Sequence, residues 1–141
     1  MNPSSSTLPK RGGLCMKAST REWIKKAESD WLLAVSLMRR RKPPVRDQVC
    51  FHFQQSAEKY VKARMEEAGI RIPRIHQIDQ LIQLVLGIEP LWSALMSAAS
   101  RISDYAVRIR YPGNEATAAE MKRCHADAKA IRAEARTALG L

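Results

Sequence analysis

Acidic residues are scarce relative to basic ones: 14 Asp and Glu stand against 24 Lys and Arg, a formal net charge of +10. The imbalance favours an anionic counterpart, whether nucleic acid, nucleotide or acidic protein, without choosing among them. Cysteine is rare and odd in number. Cys15, Cys50 and Cys124 fit neither zinc-ligand spacing nor a disulfide framework, so no metal site is expected and a reducing, cytoplasmic setting is. Cys50 and Cys124 read as small buried hydrophobes. No apolar run approaches the length of a membrane span. Sustained strand-type alternation is missing, and so is any internal repeat. The opening "MNPSSSTLPKRGGLC" lacks the apolar centre of a secretory signal. Residues 1–18 therefore read as a polar leader, with Met16 a second candidate start, and residues 19–141 as one helical domain.

What is present is helical periodicity. Helix 1 is expected over Arg21–Arg41, opened by a Ser19/Glu22 capping box. Ile24, Ala27, Trp31, Ala34, Val35 and Met38 form its buried stripe, and "RRRK" at 39–42 sits at its end, where the dipole favours cations. Pro43 and Pro44 stop this helix and start the next. Helix 2 is expected over Val45–Ala68, with Gly69 as its C-terminal cap and a seam running from Cys50 and Phe53 to Met65 and Ala68. A second, polar line joins Gln48, His52, Gln55, Lys59, Lys62 and Glu66. A short helix 3 over Gln77–Leu86 follows, with His76 as its candidate N-cap. Helix 4 opens at Pro90, with Leu91, Leu95, Ala98, Ile102 and Tyr105 as its seam. "VRIRYPG", 107–113, breaks the pattern; read as extended, it puts Arg108 and Arg110 on one side. Helix 5 starts near Thr117, where Glu120 completes a capping box, and its seam of Met121, Cys124, Ala128, Ile131, Ala135 and Ala138 suits close packing.

With those residues in view, the chain resembles the HEPN family, the higher eukaryotes and prokaryotes nucleotide-binding domain, over about Trp23–Leu139. Ala27, Asp30 and Ala34 match the family's Ala-x2-Asp-x3-Ala. "FHFQQSAEKYVKA" is similar to its Phe-His-x-Gln-Gln-x-x-Glu-Lys-x-x-Lys-Ala signature. "PRIHQIDQL" and "DYAVRIRYP" are similar to two further segments, in the right order, with Gln77 standing where the family has Asp. The resemblance implies an all-α, antiparallel up-and-down bundle of four to five helices, often dimeric. It also implies a partner, a minimal nucleotidyltransferase, in toxin–antitoxin-like pairs. Many HEPN proteins are metal-independent ribonucleases that use an Arg, four to six residues, then a His near the start of a late helix.

That spacing is missing after Arg110, whose next histidine is His125. Arg46 with His52 and Arg71 with His76 have a permitted spacing, but in the wrong places. The leading expectation is thus a non-catalytic module that binds a nucleotide or RNA-like anion without a cofactor. Its ligand residues are Asp30, His52, Gln55, Lys59, Arg108, Arg110 and Tyr111. One alternative is a ribonuclease with a displaced or dimer-shared Arg/His site, for which His52 and Arg46 are the first candidates. Another is a helical interaction module without ligand. Asp30 is also suited to a structural ion pair with a cation of helix 2 or of "RIRYP", and Glu58 with Lys62 to an i, i+4 pair. Trp23, Trp31 and Trp92 suit the core or a homodimer surface.

Overall fold

The computed structural model of the chain describes residues 16–141. These residues form α1 (Ala18–Met38), α2 (Arg46–Ala68), α3 (Ile78–Val85), a 3₁₀ segment (Pro90–Leu95), α4 (Met96–Arg108) and α5 (Ala118–Ala138), with no strand among them. Most of the expected leader, Cys15 included, lies outside the described residues. Met16 is buried against Ala63 and Leu139. No helix among the described residues is long and apolar enough to cross a membrane.

The architecture is the expected up-and-down bundle, with α2 at its centre and α1 and α5 as its principal neighbours. α1 runs antiparallel to α2, because its first turn meets the last turn of α2. Lys17 N and Thr20 Oγ1 both donate to Glu67 Oε1, at 3.1 and 2.8 Å, and Ser19 Oγ donates to Glu66 Oε2 at 2.9 Å. These contacts replace the local Ser19/Glu22 box. Ser19 lies inside the helix, and Lys17, the N-cap residue, makes no side-chain cap. At its other end α1 stops at Met38, so "RRRK" and both prolines belong to the linker and Pro44 does not open α2.

Helix 2 matches its expected span to one residue, and Gly69 takes the left-handed φ of 73° that its cap requires. Its seam is buried except for Ala68, which is exposed at the fraying end. Phe53, Tyr60, Val61 and Met65 fill the centre, against Ala27 and Ala34 of α1 and Cys124, Ala128, Ile131 and Ala135 of α5. The small residues of α1 and α5 let both helices approach this aromatic column closely. Ile78, Leu81, Ile82 and Val85 of α3 and Ile102 of α4 close the remaining side.

The Pro90 helix differs from the periodic reading. Its first six residues wind as 3₁₀, so the register shifts and Leu91 is 84 % exposed while Trp92 is buried. Helix 4 also runs further than expected. Val107 and Arg108 are helical, and the chain reverses only over 109–113. Thr117 and Glu120 form the complete capping box at the start of α5.

Candidate functional site

Three ionic clusters hang on the polar side of α2 and its flanks. In the first, Asp30 of α1 accepts from two α2 residues: His52 Nδ1 lies 2.9 Å from its Oδ1, and Lys59 Nζ donates to its Oδ2 at 2.5 Å. Both oxygens are engaged, and the group is largely shielded from water. Of the cations that could partner Asp30, the fold selects Lys59.

The second cluster is centred on Glu58, whose side chain is 5 % exposed. Glu58 Oε2 accepts from Lys62 Nζ at 2.7 Å and faces His76 Nδ1 at 2.9 Å, while Oε1 accepts from Gln54 Nε2 at 3.1 Å. Gln55 Nε2 donates to Gln54 Oε1 at 3.0 Å, and Lys62 lies over the Trp23 ring, 5.8 Å from its centroid. Lys62 is thus buried rather than on a solvated line. The 70–77 loop is pinned through His76, which does not cap α3; Gln77 occupies that position without a side-chain bond. A carboxylate cannot donate, so a neutral His76 carries its proton on Nδ1 and leaves Nε2 as an acceptor.

A third cluster joins helices that no local pattern marks as a pair. Arg132 clamps Glu28 in bidentate fashion at 2.6 and 3.0 Å, and Tyr60 donates to the same carboxylate. Burial pushes the Glu28 carboxyl up, but the hydrogen bonds from Arg132 and Tyr60 and the charges of Arg132 and Arg136 outweigh it, so it sits below its ordinary range. Burial and the bond to Glu28 push the Tyr60 phenol up. Beside this cluster, the His125 ring packs on Trp31 and Phe53 at centroid distances of 5.6 and 5.1 Å, and burial and Lys129 hold it below its usual range.

The two arginines of "VRIRYP" do not share a side. Arg108 ends α4, donates to Glu120 of α5 and stacks on Tyr105 at 5.2 Å. A helical backbone turns about 100° per residue where a strand turns 180°. Arg110 therefore points elsewhere, lining a cavity of about 120 Å³ with Gln54, His76, Gln77 and Ser103. Its side chain has no ion-pair or hydrogen-bonding partner among the described residues. Tyr111 is exposed in the turn.

The expected ligand residues thus fall into separate sets. Asp30, His52 and Lys59 come together and satisfy one another. Gln55 belongs to the Glu58 network. Arg110 stands with His76, and Arg108 is spent on Glu120. Arg46 opens α2 and lines depressions there, while His52, six positions on and so about 120° around the helix, is turned to Asp30. Sequence reasoning missed the cavity partnership of Arg110 and His76, whose one signal was that both lie in segments interrupted by proline. Cys50 and Cys124 are both buried. Hydrogen bonding to Cys50, then burial, push the Cys124 thiol far up. No group of three metal-ligating side chains occurs among the described residues.

The model of one protein family, the HEPN domain, matches residues 20–137. Two solved structures are similar in fold. TT1696 from Thermus thermophilus superimposes with a TM-score of 0.75 at 20% identity, over 87% of this chain and 100% of that one. ST0689, an archaeal HEPN homologue, superimposes with a TM-score of 0.66 at 24% identity, over 85% of this chain and 97% of that one. No curated protein matches the chain.

Proposed function

From the premise that the chain belongs to the HEPN domain family, we propose that it is a module that binds a nucleotide or RNA-like anion through Arg110. The observation that carries this reading is the unpartnered Arg110 guanidinium at the mouth of a cavity lined by His76, Gln54 and Gln77. A phosphate oxygen there meets a full positive charge, and the amides supply donors and acceptors for the rest of the ligand. Asp30, His52 and Lys59 take a positioning role, holding α1 against α2. Isothermal calorimetry with ATP, GTP and short RNA tests the reading. Binding weakens with salt and falls about tenfold in Arg110→Ala; unchanged binding in that variant removes Arg110 from the site.

The module pairs with a minimal nucleotidyltransferase in a toxin–antitoxin-like system, on the strength of the family resemblance, and forms a homodimer. Leu32 and Leu33, adjacent and exposed on α1, are the apolar surface the homodimer would use. Co-expression with a neighbouring nucleotidyltransferase tests the first pairing. A concentration-independent monomer mass in sedimentation speaks against the homodimer.

A second reading gains from the cavity. Arg110 and His76 meet there from distant segments, with His76 oriented by Glu58 and its Nε2 left as an acceptor. That is the equipment of a ribonuclease in which the histidine takes the 2′-hydroxyl proton and the arginine steadies the phosphate. RNA cleavage that survives EDTA and vanishes in both His76→Ala and Arg110→Ala selects it over the binding module.

A further inference from the structure

The Arg110 cavity is not isolated. It adjoins a depression lined by Arg110, Ala106, Phe51, Gln48 and Asp47. That depression shares Gln48 and Asp47 with a third, which reaches Arg46, Val45 and Ala116. The third shares Pro44, Val45 and Arg46 with a fourth, walled by Arg40, Arg41 and Lys122. Each depression shares lining residues with the next, so the four border one another in sequence and are treated together as a furrow. It crosses the first turns of α2, from the linker after α1 to the end of α4 and the loop before α3.

Charge and surface chemistry along this furrow are uneven in a useful way. Arg40, Arg41, Arg46, Lys122 and Arg110 line it, and none of the five has an acidic partner among the described residues. Two carboxylates lie among the lining residues, Asp47 and Glu115. Asp47 is engaged by the backbone N–H of Ala116 at 2.8 Å. Between the basic end and Arg110 the ring of Phe51 is 42 % exposed, with the His52 ring edge-on to it at 5.1 Å. From Arg46 to Gln54 the furrow follows α2 for about 12 Å at 1.5 Å per residue. A mononucleotide occupies one end of such a track; several phosphates are needed to reach both.

We propose that the furrow is the path of a single-stranded polynucleotide: Arg40, Arg41 and Lys122 take its backbone phosphates, Phe51 stacks a base, and Arg110 with His76 receives the terminal nucleotide unit. Cations that follow a backbone, with an aromatic platform between them, are the chemistry by which single strands are held without reading sequence. A duplex presents its bases stacked inward and gains nothing from Phe51. This inference rests on the anion site at Arg110 and extends it from a nucleotide to a strand.

The experiment measures fluorescence anisotropy of a labelled octauridylate, with uridine monophosphate in calorimetry as the short probe. The proteins are the wild-type chain, Arg110→Ala, Arg41→Ala/Lys122→Ala and the control Lys25→Ala, an exposed position on α1 away from the furrow. All substituted side chains are exposed, and circular dichroism checks that each variant stays folded. The octamer binds at least tenfold more tightly than the monophosphate. The double variant loses about tenfold for the octamer, and its salt slope falls by about 1.4, at about 0.7 per phosphate contact on a single strand. It leaves the monophosphate unchanged, and Lys25→Ala changes neither. An octamer that binds no better than the monophosphate overturns the track, as does a double variant that behaves like Lys25→Ala. Loss in Arg110→Ala with no loss in the double variant overturns the track alone. Loss in the double variant with full binding in Arg110→Ala overturns the Arg110 anion site and leaves the basic end of the furrow standing.

Discussion

Removing the Glu58 carboxylate strands a cation. Glu58 and Lys62 side chains are 5 % and 8 % exposed, and the carboxylate also binds Gln54 and His76. In Glu58→Ala the Lys62 ammonium loses its counter-charge, and the Gln54 amide loses an acceptor. Breaking one side of a buried pair costs about 3–5 kcal/mol. His76 is mostly exposed and adds little, and the Lys62 stem can swing its head past Trp23 toward water. The lower end applies, about 3 kcal/mol, a large share of the roughly 5–15 kcal/mol that holds a domain of this size. Urea unfolding followed by circular dichroism gives the number. The companion variant Glu58→Ala/Lys62→Met removes both charges and fills the space, so it recovers more than half of the loss. A cost below about 1 kcal/mol for Glu58→Ala, or no recovery in the double variant, refutes the claim that an uncompensated buried charge is what hurts.

Three further outcomes follow from groups already described. Glu28 has its folded pKa depressed below the ordinary carboxyl value, so the stability it contributes is present above the unfolded pKa and lost as pH falls through the folded one; Arg132→Met therefore flattens the acid limb of a stability–pH profile below about pH 4.5. Thr117→Ala removes a complete capping box at α5 and lowers unfolding free energy by about 1 kcal/mol, read from the denaturation midpoint. Cys50 and Cys124 are buried and the Cys124 thiol is pushed up, so neither reacts with a thiol reagent until denaturant is added; rapid labelling of the native protein at either position contradicts the packing.

How much of the fold and the site is legible in the sequence depends on distance along the chain. Helix 2 is legible to one residue because its seam, its polar line and Gly69 all lie within one periodic stretch. The Glu58–Lys62 pair and the Thr117/Glu120 box are local too, at four and three residues of separation. Asp30 is open to several cations in the sequence, and packing of α1 on α2 chooses Lys59. The Glu28–Arg132 clamp spans 104 residues, and nothing in the local pattern of either helix announces the other. Ser19 shows how a correct local rule is displaced: its box is available, but Glu66 at the end of α2 offers a partner that brings two helices together. Arg108 and Arg110 turn on one backbone decision. Two residues apart on a strand they share a side; on a helix and the turn beyond it they part, one to α5 and one to the cavity.

The polar side of α2 is fastened along both of its margins. On one, His52 and Lys59 are held by Asp30; on the other, Gln54 and Glu58 are held to His76 and the loop before α3. These side chains have therefore given up their rotamer freedom at folding. A strand laid along the proposed furrow immobilises Arg40, Arg41, Lys122, Arg110 and the ring of Phe51. Each ordered long side chain would otherwise subtract about 0.5–1.5 kcal/mol from binding. Of the α2 residues along the furrow, Gln54 and Asp47 enter such a complex already set, and the entropy still to be lost sits in the long cations Arg40, Arg41, Lys122 and Arg110.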